Sequence, residues 1–253
     1  TDDLLAALLI PSSCEAANII ALNVSDSITE FTDLMNEKAE KLGMENTHFS
    51  NAHGLWAQQN YSSCKDMATL CEYAISKYQV FRDIVCLPSY HMASTSYHSD
   101  GTDIYNTNLM LDSMTDYYYS YAKGIKTGTL DSAGRCLASY AEYEGTTYLI
   151  VTMGAPMDKL EEDVKKGEED PDSIYGGDNV YYNLLDHINL YKWAFSSLVA
   201  TDFVDKDSEV RDVKVSYGDG IDYANLKPAN GFTRLWPCLL YTSPSPRDGA
   251  TSR

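Results

Sequence analysis

Three consecutive residues, Lys126-Thr127-Gly128, combine a cation, a hydroxyl and a glycine that has no side chain. Two runs of β-forming residues follow at 135–143 and 148–153, and Glu144-Gly145 joins them. This pattern predicts an antiparallel meander whose first strand bears the three residues. Such a strand suits an extended ligand that ends in a carboxylate. The glycine lets the ligand backbone approach, while the lysine and threonine hold the anionic end.

A second group of polar side chains, Ser12-Ser13-Cys14, interrupts an apolar helical region. The helical segment 2–9 ends near Pro11, and helical character resumes over 15–22. The break predicts a turn between two buried helices, with two hydroxyls and a thiol in it. Serine commonly caps helices, so Ser12 is open both to a capping role and to a chemical one.

The helices and sheet that would position these groups are indicated by periodicity. Ser27-Ile28-Thr29-Glu30 has the capping-box pattern, and Gly43 supplies the stop for the helix that follows. Residues 65–78 form a helical pattern with one apolar face. Residues 88–121 are rich in Ser, Tyr and Asn and predict an irregular lobe. Residues 180–199 predict a helix that covers the sheet.

The composition and net charge of the chain limit the classes of function that it can have. The 253 residues are 44% hydrophobic and 22% charged, which is typical of a soluble globular protein with a real core. No run approaches the length of a membrane span. The net charge of −18 argues against nucleic acid as a partner, since phosphates require a basic surface. Much of this charge lies in 158–172, which we interpret as a solvated loop.

Neither the cysteines nor the histidines are spaced like metal ligands. The chain has six cysteines without a Cys-x-x-Cys pair: 14, 64, 71, 86, 136 and 238. Several lie in apolar helical or strand patterns, which favours buried thiols over disulfide bridges. The histidines at 48, 91, 98 and 187 have no partner at a metal-binding spacing. We therefore predict no metal site.

We predict three regions along the chain. Residues 1–200 form the main domain, and 201–237, with alternating strand character, begin a β-rich domain. Residues 238–253 have no periodicity and continue nothing before them. We interpret this last stretch as a non-native, adaptor-derived tail and exclude it from the fold.

The chain resembles the serine D-alanyl-D-alanine carboxypeptidases, the low-molecular-weight penicillin-binding proteins of peptidase family S11. The motifs of this superfamily are Ser-x-x-Lys, Ser-x-Asn and Lys-Thr-Gly. The resemblance rests on these stretches in order: 3–22, 30–55 with 60–75, 106–111 and 123–156. It implies an α/β (α+β) fold of the β-lactamase/transpeptidase type. That fold has an antiparallel sheet with helices and a helical lobe, followed here by the start of a small β domain.

The same resemblance implies an activity. The family removes the terminal D-Ala from peptidoglycan stem peptides ending in D-Ala-D-Ala, through a serine acyl-enzyme and without a metal or organic cofactor. β-Lactams inhibit such enzymes because they mimic that terminus. The expected location is extracytoplasmic, in the cell envelope, with any membrane association through a C-terminal anchor missing from this chain.

Carried over residue by residue, Ser12 matches the serine of the second motif, which relays a proton to the departing D-alanine. Cys14 stands where the family usually has Asn and would contact substrate, although a thiol forms poorer hydrogen bonds than a carboxamide. His53 lies in a loop that the family places near the cleft. There it either orients water or only packs and forms a turn.

The third motif supplies the other contacts. Lys126 would anchor the peptide carboxylate electrostatically and so take part in catalysis. Thr127 would hydrogen-bond to the carboxylate, and Gly128 would give clearance. The backbone N–H of Thr129 would be one half of the oxyanion hole, where charge develops on the attacked carbonyl.

The family's nucleophile motif has no match in the expected place. Two Ser-x-x-Lys strings occur, at 62–65 and 120–123, but the first aligns with the helical lobe and the second with the approach to Lys126. In the family, that motif lies upstream of the turn that Ser12 matches, and its lysine acts as the base that activates the serine. We therefore expect this chain to be part of an enzyme, inactive alone and prone to aggregation.

Two alternatives stay open. A serine β-lactamase of the same superfamily would need a carboxylate that activates the deacylating water, but the chain has no Glu-x-x-Leu-Asn string. The match over 46–71 also favours the carboxypeptidase. A non-catalytic, wall-binding pseudoenzyme would keep the cleft and lack the nucleophile. The cysteine at position 14 is compatible with that alternative.

Overall fold

The computed structural model describes residues 2–204, 206, 211–214 and 223–237. The chain divides into two compact units between Tyr191 and Lys192, ahead of the boundary predicted near position 200. The predicted tail, 238–253, lies outside the described residues.

Helices form a large part of the first unit, and the last of them runs past its end at Tyr191. Their bounds are α1 Asp2–Leu9, α2 Cys14–Val24, α3 Ile28–Lys41, α4 Cys64–Lys77, α5 Gln79–Val85, α6 Glu161–Glu169 and α7 Tyr182–Ser197. Serines begin three of them: the hydroxyl oxygens of Ser13, Ser27 and Ser63 accept N–H groups in the first turns of α2, α3 and α4. These bonds satisfy backbone donors that have no partner inside a helix.

The central sheet confirms the predicted meander. Its strands, β3 Ala122–Leu130, β4 Gly134–Tyr143 and β5 Thr146–Ala155, are antiparallel in the order β3-β4-β5. Glu144 and Gly145 turn the chain between β4 and β5 with φ values of 48° and 79°, as a two-residue hairpin requires. Among the described strands β3 pairs only with β4, so Lys126 lies on an edge strand.

Helix α7 covers this sheet, as predicted, through a buried polar cluster. His187, which is fully buried, contacts the Ser139 hydroxyl on β4 through Nδ1 at 2.7 Å and the Thr152 hydroxyl on β5 through Nε2 at 3.0 Å. The hydroxyl of Tyr191 lies 2.7 Å from the same Ser139 oxygen. Burial lowers the pKa of His187 to about 4, so the ring is neutral near pH 7.

Two predictions of irregular structure were wrong. Residues 158–172 are not simply a solvated loop, because they contain α6, whose Asp163 is buried. Asp163 accepts hydrogen bonds from Lys166 and Tyr182, and these bonds lower its pKa. The predicted irregular lobe contains a hairpin, β1 Ser89–Met92 with β2 Thr102–Tyr105, and a short 3₁₀ helix at Leu109–Leu111. The short strands of the hairpin and the single buried carboxylate of α6 do not produce a recognisable periodicity in the sequence.

The five described cysteines are free thiols. Cys71 is buried in the core, where desolvation raises its pKa to about 11, whereas Cys64 is exposed. Cys71 packs with Val85, Ile125 and Tyr140 between the helices and the sheet. Across the described residues, every helix is too short or too polar to span a bilayer.

The second unit has β structure in its described parts, as the alternating sequence predicted. Its strands are β6 Leu198–Val204, β7 Arg211–Lys214, β8 Tyr223–Leu226 and β9 Phe232–Pro237. They form two antiparallel pairs, β6 with β9 and β7 with β8.

Candidate active site

A cavity of about 880 Å³ lies in the first unit between the α1–α2 junction, strand β3 and the start of α7. It brings together every residue singled out from the sequence: Ser12, Cys14, His53, Lys126, Thr127, Gly128 and Thr129. These residues come from three separate parts of the chain. Their convergence in one cavity is a property of the tertiary structure.

Ser12 stands out for its backbone conformation. Its φ of 72° lies in the left-handed region, which costs a non-glycine residue roughly 1–2 kcal/mol. Ser13, not Ser12, caps α2 by accepting the Ala16 N–H, and the Ser13 N–H in turn donates to the Ala7 carbonyl at 2.9 Å. The Ser12 hydroxyl is thus not used as a cap, and it has no hydrogen-bond partner among the described residues. Strain of this kind concentrates at functional sites.

Cys14 begins α2 instead of lying in the turn where the sequence placed it. The prediction was wrong by one residue because Ser13 takes the capping position. The thiol is half-buried and lines the cavity beside Ser12.

Lys126 is a half-buried cation without a counter-ion. Its Nζ donates to the Thr127 carbonyl at 3.0 Å, and none of the ion pairs in the described residues includes it. Desolvation lowers its pKa to about 8, so near pH 7 the side chain is mostly charged. A partly desolvated ammonium that lacks an internal anion attracts an external one.

Thr127 connects β3 to the α1–α2 junction. Its hydroxyl lies 2.5 Å from the hydroxyl of Thr107, and the Thr107 N–H reaches the carbonyl of buried Ile10 at 3.4 Å. Thr107, which also lines the cavity, was not singled out from the sequence although it lies in the 106–111 stretch. This pair of threonines therefore connects the Lys126 segment of β3 with the Ser12 segment at the α1–α2 junction.

Gly128 has room for a side chain within the protein itself. It is exposed, and a Cβ built there would meet only the Cys136 Cβ at 3.8 Å, an ordinary contact. Internal packing therefore does not require glycine at this position. A glycine at this position leaves clearance for a ligand backbone on the open edge of β3.

His53 takes part in a turn and also lines the cavity. Its Nδ1 accepts the Leu55 N–H at 3.2 Å, which leaves the proton of the neutral ring on Nε2. The neighbouring Gly54 N–H donates to the Asn51 side chain at 2.7 Å. The turn-forming role is therefore present in the structure, and the position beside the cavity agrees with the cleft-lining expectation.

Comparison with known proteins agrees with this geometry. A family model described as D-alanyl-D-alanine carboxypeptidase, peptidase S11, matches residues 1–157. The chain belongs to peptidase family S11.

Individual relatives give the same result. The chain is 30% identical over 161 residues to the D-alanyl-D-alanine carboxypeptidase DacF of Bacillus subtilis (strain 168), covering 62% of this chain and 38% of the relative. It is 33% identical over 155 residues to the D-alanyl-D-alanine carboxypeptidase of Streptomyces sp. (strain K15), covering 58% of this chain and 51% of the relative. The chain thus matches about half or less of the length of these curated relatives.

A solved structure confirms the predicted fold. The crystal structure of the D-alanyl-D-alanine carboxypeptidase DacD from Francisella tularensis superposes with a TM-score of 0.70. The alignment covers 93% of this chain and 62% of that one at 18% identity, which supports the fold alone. The mixed α/β, transpeptidase-like architecture predicted from the motifs is therefore correct.

The two Ser-x-x-Lys strings of this S11 chain do not line the cavity. The Ser62 hydroxyl is paired with the Thr47 hydroxyl at 2.8 Å at the start of α4, and Lys65 is exposed. Ser120 and Lys123 precede the cavity-lining part of β3. Among the described residues there is also no cluster of three or more potential metal ligands.

Two cavity residues of this S11 chain were missed from the sequence altogether. Arg135 on β4 and Asn183 in the first turn of α7 both line the cavity and are both buried. Arg135 is the cross-strand partner of Thr129. The meander prediction contained the signal for Arg135, because its register places the start of β4 beside the end of β3. Nothing in the sequence links Asn183 to them.

Proposed function

We propose that this chain forms the substrate-binding part of a serine D-alanyl-D-alanine carboxypeptidase that acts on peptidoglycan stem peptides ending in D-Ala-D-Ala. The supporting observation is the single cavity lined by Ser12 and by Lys126-Thr127-Gly128. Family membership and the convergence of these residues in one cavity support this proposal. β-Lactams, which mimic the D-Ala-D-Ala terminus, are the expected inhibitors.

Strand β3 binds the substrate backbone in this proposal. Its open edge accepts an extended peptide by strand addition, and Gly128 leaves room for the ligand backbone. Lys126 attracts the terminal carboxylate, and Thr127 donates its hydroxyl to it. The N–H of Thr129 then stabilises the oxyanion that forms on the carbonyl of the penultimate residue.

Ser12 transfers the proton that the departing D-alanine needs. Its strained backbone holds a free hydroxyl at the cavity wall, where it can accept and donate within one step. Cys14 contacts the substrate beside it, with weaker hydrogen bonds than an amide would form. His53 borders the same cavity.

Acylation needs a serine activated by a neighbouring base. Neither Ser-x-x-Lys string of this chain lines the cavity. We infer that the nucleophile comes from residues outside the printed sequence. The substrate's place in the cell wall implies action outside the cytoplasmic membrane. No step of this proposal passes through a metal or an organic cofactor.

Covalent labelling with a fluorescent penicillin tests this proposal. We expect no label on the chain as printed, and stoichiometric label on a version extended upstream to include the Ser-x-x-Lys helix. The matched control is the extended version with that serine changed to alanine. Label on the printed chain would contradict our assignment of the nucleophile. An extended, folded protein that has the motif but takes no label would instead favour the non-catalytic wall-binding alternative.

A further inference from the structure

The loop 49–60 borders the cavity and exposes a large aromatic side chain to solvent. Its ends are joined by two backbone hydrogen bonds between His48 and Tyr61, of 2.9 and 3.0 Å. Residues 53–55 line the cavity. The next residue, Trp56, is 70% exposed and has no role in the proposed reaction. A compact surface loop whose ends meet is frequently functional, and an exposed apolar group beside a cavity often marks a binding site.

Hydrogen bonds inside the loop hold the backbone that leads into Trp56. The Asn51 side chain accepts the Gly54 N–H at 2.7 Å and donates to the Leu55 carbonyl at 2.9 Å. The Leu55 N–H donates to His53 Nδ1 at 3.2 Å. The loop is therefore ordered by its own side chains before any ligand binds. A preorganised loop loses less conformational entropy on binding than a loose one.

The charge pattern of this loop differs from that of the rest of the chain. Residues 46–64 contain no Asp, Glu, Lys or Arg, although the whole chain has a net charge of −18. Amide side chains are frequent there instead, at 46, 51, 58, 59 and 60. Gln58 and Gln59 are exposed, and their side chains have no hydrogen-bond partner among the described residues. Charge complementarity therefore indicates a neutral ligand with many hydrogen-bonding groups.

We propose that loop 49–60 is a sugar-binding subsite, in which the indole of Trp56 stacks against a neutral pyranose ring. Such a ring has apolar C–H groups on its faces and hydroxyls around its edge. The exposed indole suits the faces, and the amides of Gln58 and Gln59 suit the hydroxyls. The ligand is the glycan strand of peptidoglycan. This inference rests on the proposed function and extends its substrate: the cavity binds the stem peptide, and the adjoining loop binds the sugar chain that carries it.

A neutral oligosaccharide without any peptide tests the subsite directly. Tri-N-acetylchitotriose is titrated calorimetrically into the chain as printed and into the version extended upstream. We expect saturable binding, which Trp56→Ala should weaken by about three- to tenfold, as the loss of one aromatic stacking contact does. Trp56→Phe should keep most of the affinity, whereas Trp56→Leu, which is apolar without an aromatic face, should bind as weakly as Trp56→Ala. The matched control is Trp193→Ala, because Trp193 is 52% exposed on α7 and does not line the cavity.

A second comparison uses a stem peptide alone and the same peptide attached to a disaccharide of N-acetylated sugars. The unmodified chain should bind the glycopeptide about three- to tenfold more tightly. In Trp56→Ala this preference should disappear while the affinity for the free peptide stays unchanged, because Trp56 does not line the cavity.

Three results would overturn the subsite. The first is a folded Trp56→Ala protein, verified by circular dichroism, that binds chitotriose as tightly as the unmodified chain. The second is equal affinity of Trp56→Leu and Trp56→Phe, which would exclude stacking. The third is self-association in analytical ultracentrifugation that Trp56→Ala abolishes without any change in sugar binding, which would assign the loop to contacts between copies of the chain. Chitotriose binding needs neither peptide nor nucleophile, so failure of penicillin labelling would leave this test unaffected.

Discussion

Acid should destabilise this protein through one buried histidine, His187. The ring is fully buried between α7 and the sheet, with hydroxyls of Ser139 and Thr152 at its two nitrogens. A neutral ring can donate from one nitrogen and accept at the other, which these two hydroxyls can satisfy. A protonated ring would have two donors and a charge in a site that holds no described carboxylate partner. Protonation therefore favours the unfolded chain.

The size of this effect follows from the two pKa values. His187 has a pKa of about 4 in the folded protein against an ordinary value of 6.5. The unfolded state binds more protons between these values, so stability is complete above pH 6.5 and is lost as the pH falls towards 4. Between pH 7 and pH 5 the free energy of unfolding decreases by about 2 kcal/mol through this group. The complete loss is about 3 kcal/mol.

Urea denaturation of the protein and of His187→Gln, followed by far-UV circular dichroism at pH 7, 6 and 5, measures this difference. At pH 7 the variant should be less stable, because one buried hydroxyl loses its partner. Its stability should decline less with acid, and the two curves should converge by about 2 kcal/mol by pH 5. His91→Gln is the control, because His91 lies on the exposed β1–β2 hairpin. Parallel pH profiles for the protein and His187→Gln would refute the argument.

Three further predictions concern the cavity. The affinity of the cavity for a peptide that ends in a free carboxylate should fall as the pH rises through about 8, where Lys126 loses its proton. Calorimetric titrations of Lys126→Arg should show a flatter pH dependence. Ser12→Gly should be more stable than Ser12→Ala by roughly 1 kcal/mol in urea denaturation, because glycine tolerates a φ of 72°. Equal stability would mean that the strain is absent. Gly128→Ala should leave the melting temperature within about 2 °C and weaken peptide binding at least tenfold, since the added Cβ meets only the Cβ of Cys136, at 3.8 Å. Unchanged binding would exclude strand addition at β3.

Low pH should also affect ligand binding in the cavity, because α7 contributes to both. The helix bears His187 in its middle and Asn183 in its first turn. Protonation of His187 weakens the attachment of α7 to β4 and β5. Asn183 lines the cavity, so the shape of this cavity wall depends on that attachment. Binding of a carboxylate-ended peptide in the cavity should therefore weaken below pH 5, in parallel with the loss of the buried cluster.

Much of the fold follows from local sequence. Serines at helix starts, the glycine after α3 and the Glu144-Gly145 turn each act on neighbouring residues, so their effects are readable without tertiary structure. The β1–β2 hairpin and α6 were missed because both are short and mostly exposed. Their stability depends on a few contacts, such as the bonds that Lys166 and Tyr182 make to Asp163.

By itself, the sequence determined the meander and the covering helix, because periodicity, capping and turn chemistry are local properties. The residues around Ser12 and Lys126 were singled out through the family resemblance. Only the tertiary structure decided that Arg135 and Asn183 border the same cavity, that the Asn183 side-chain oxygen has no partner, and that His187 is fully buried. Burial and the presence or absence of a partner depend on residues distant in the chain. Burial and pairing in turn determine the charge and the pKa of each group, and through them the ligand that the site prefers.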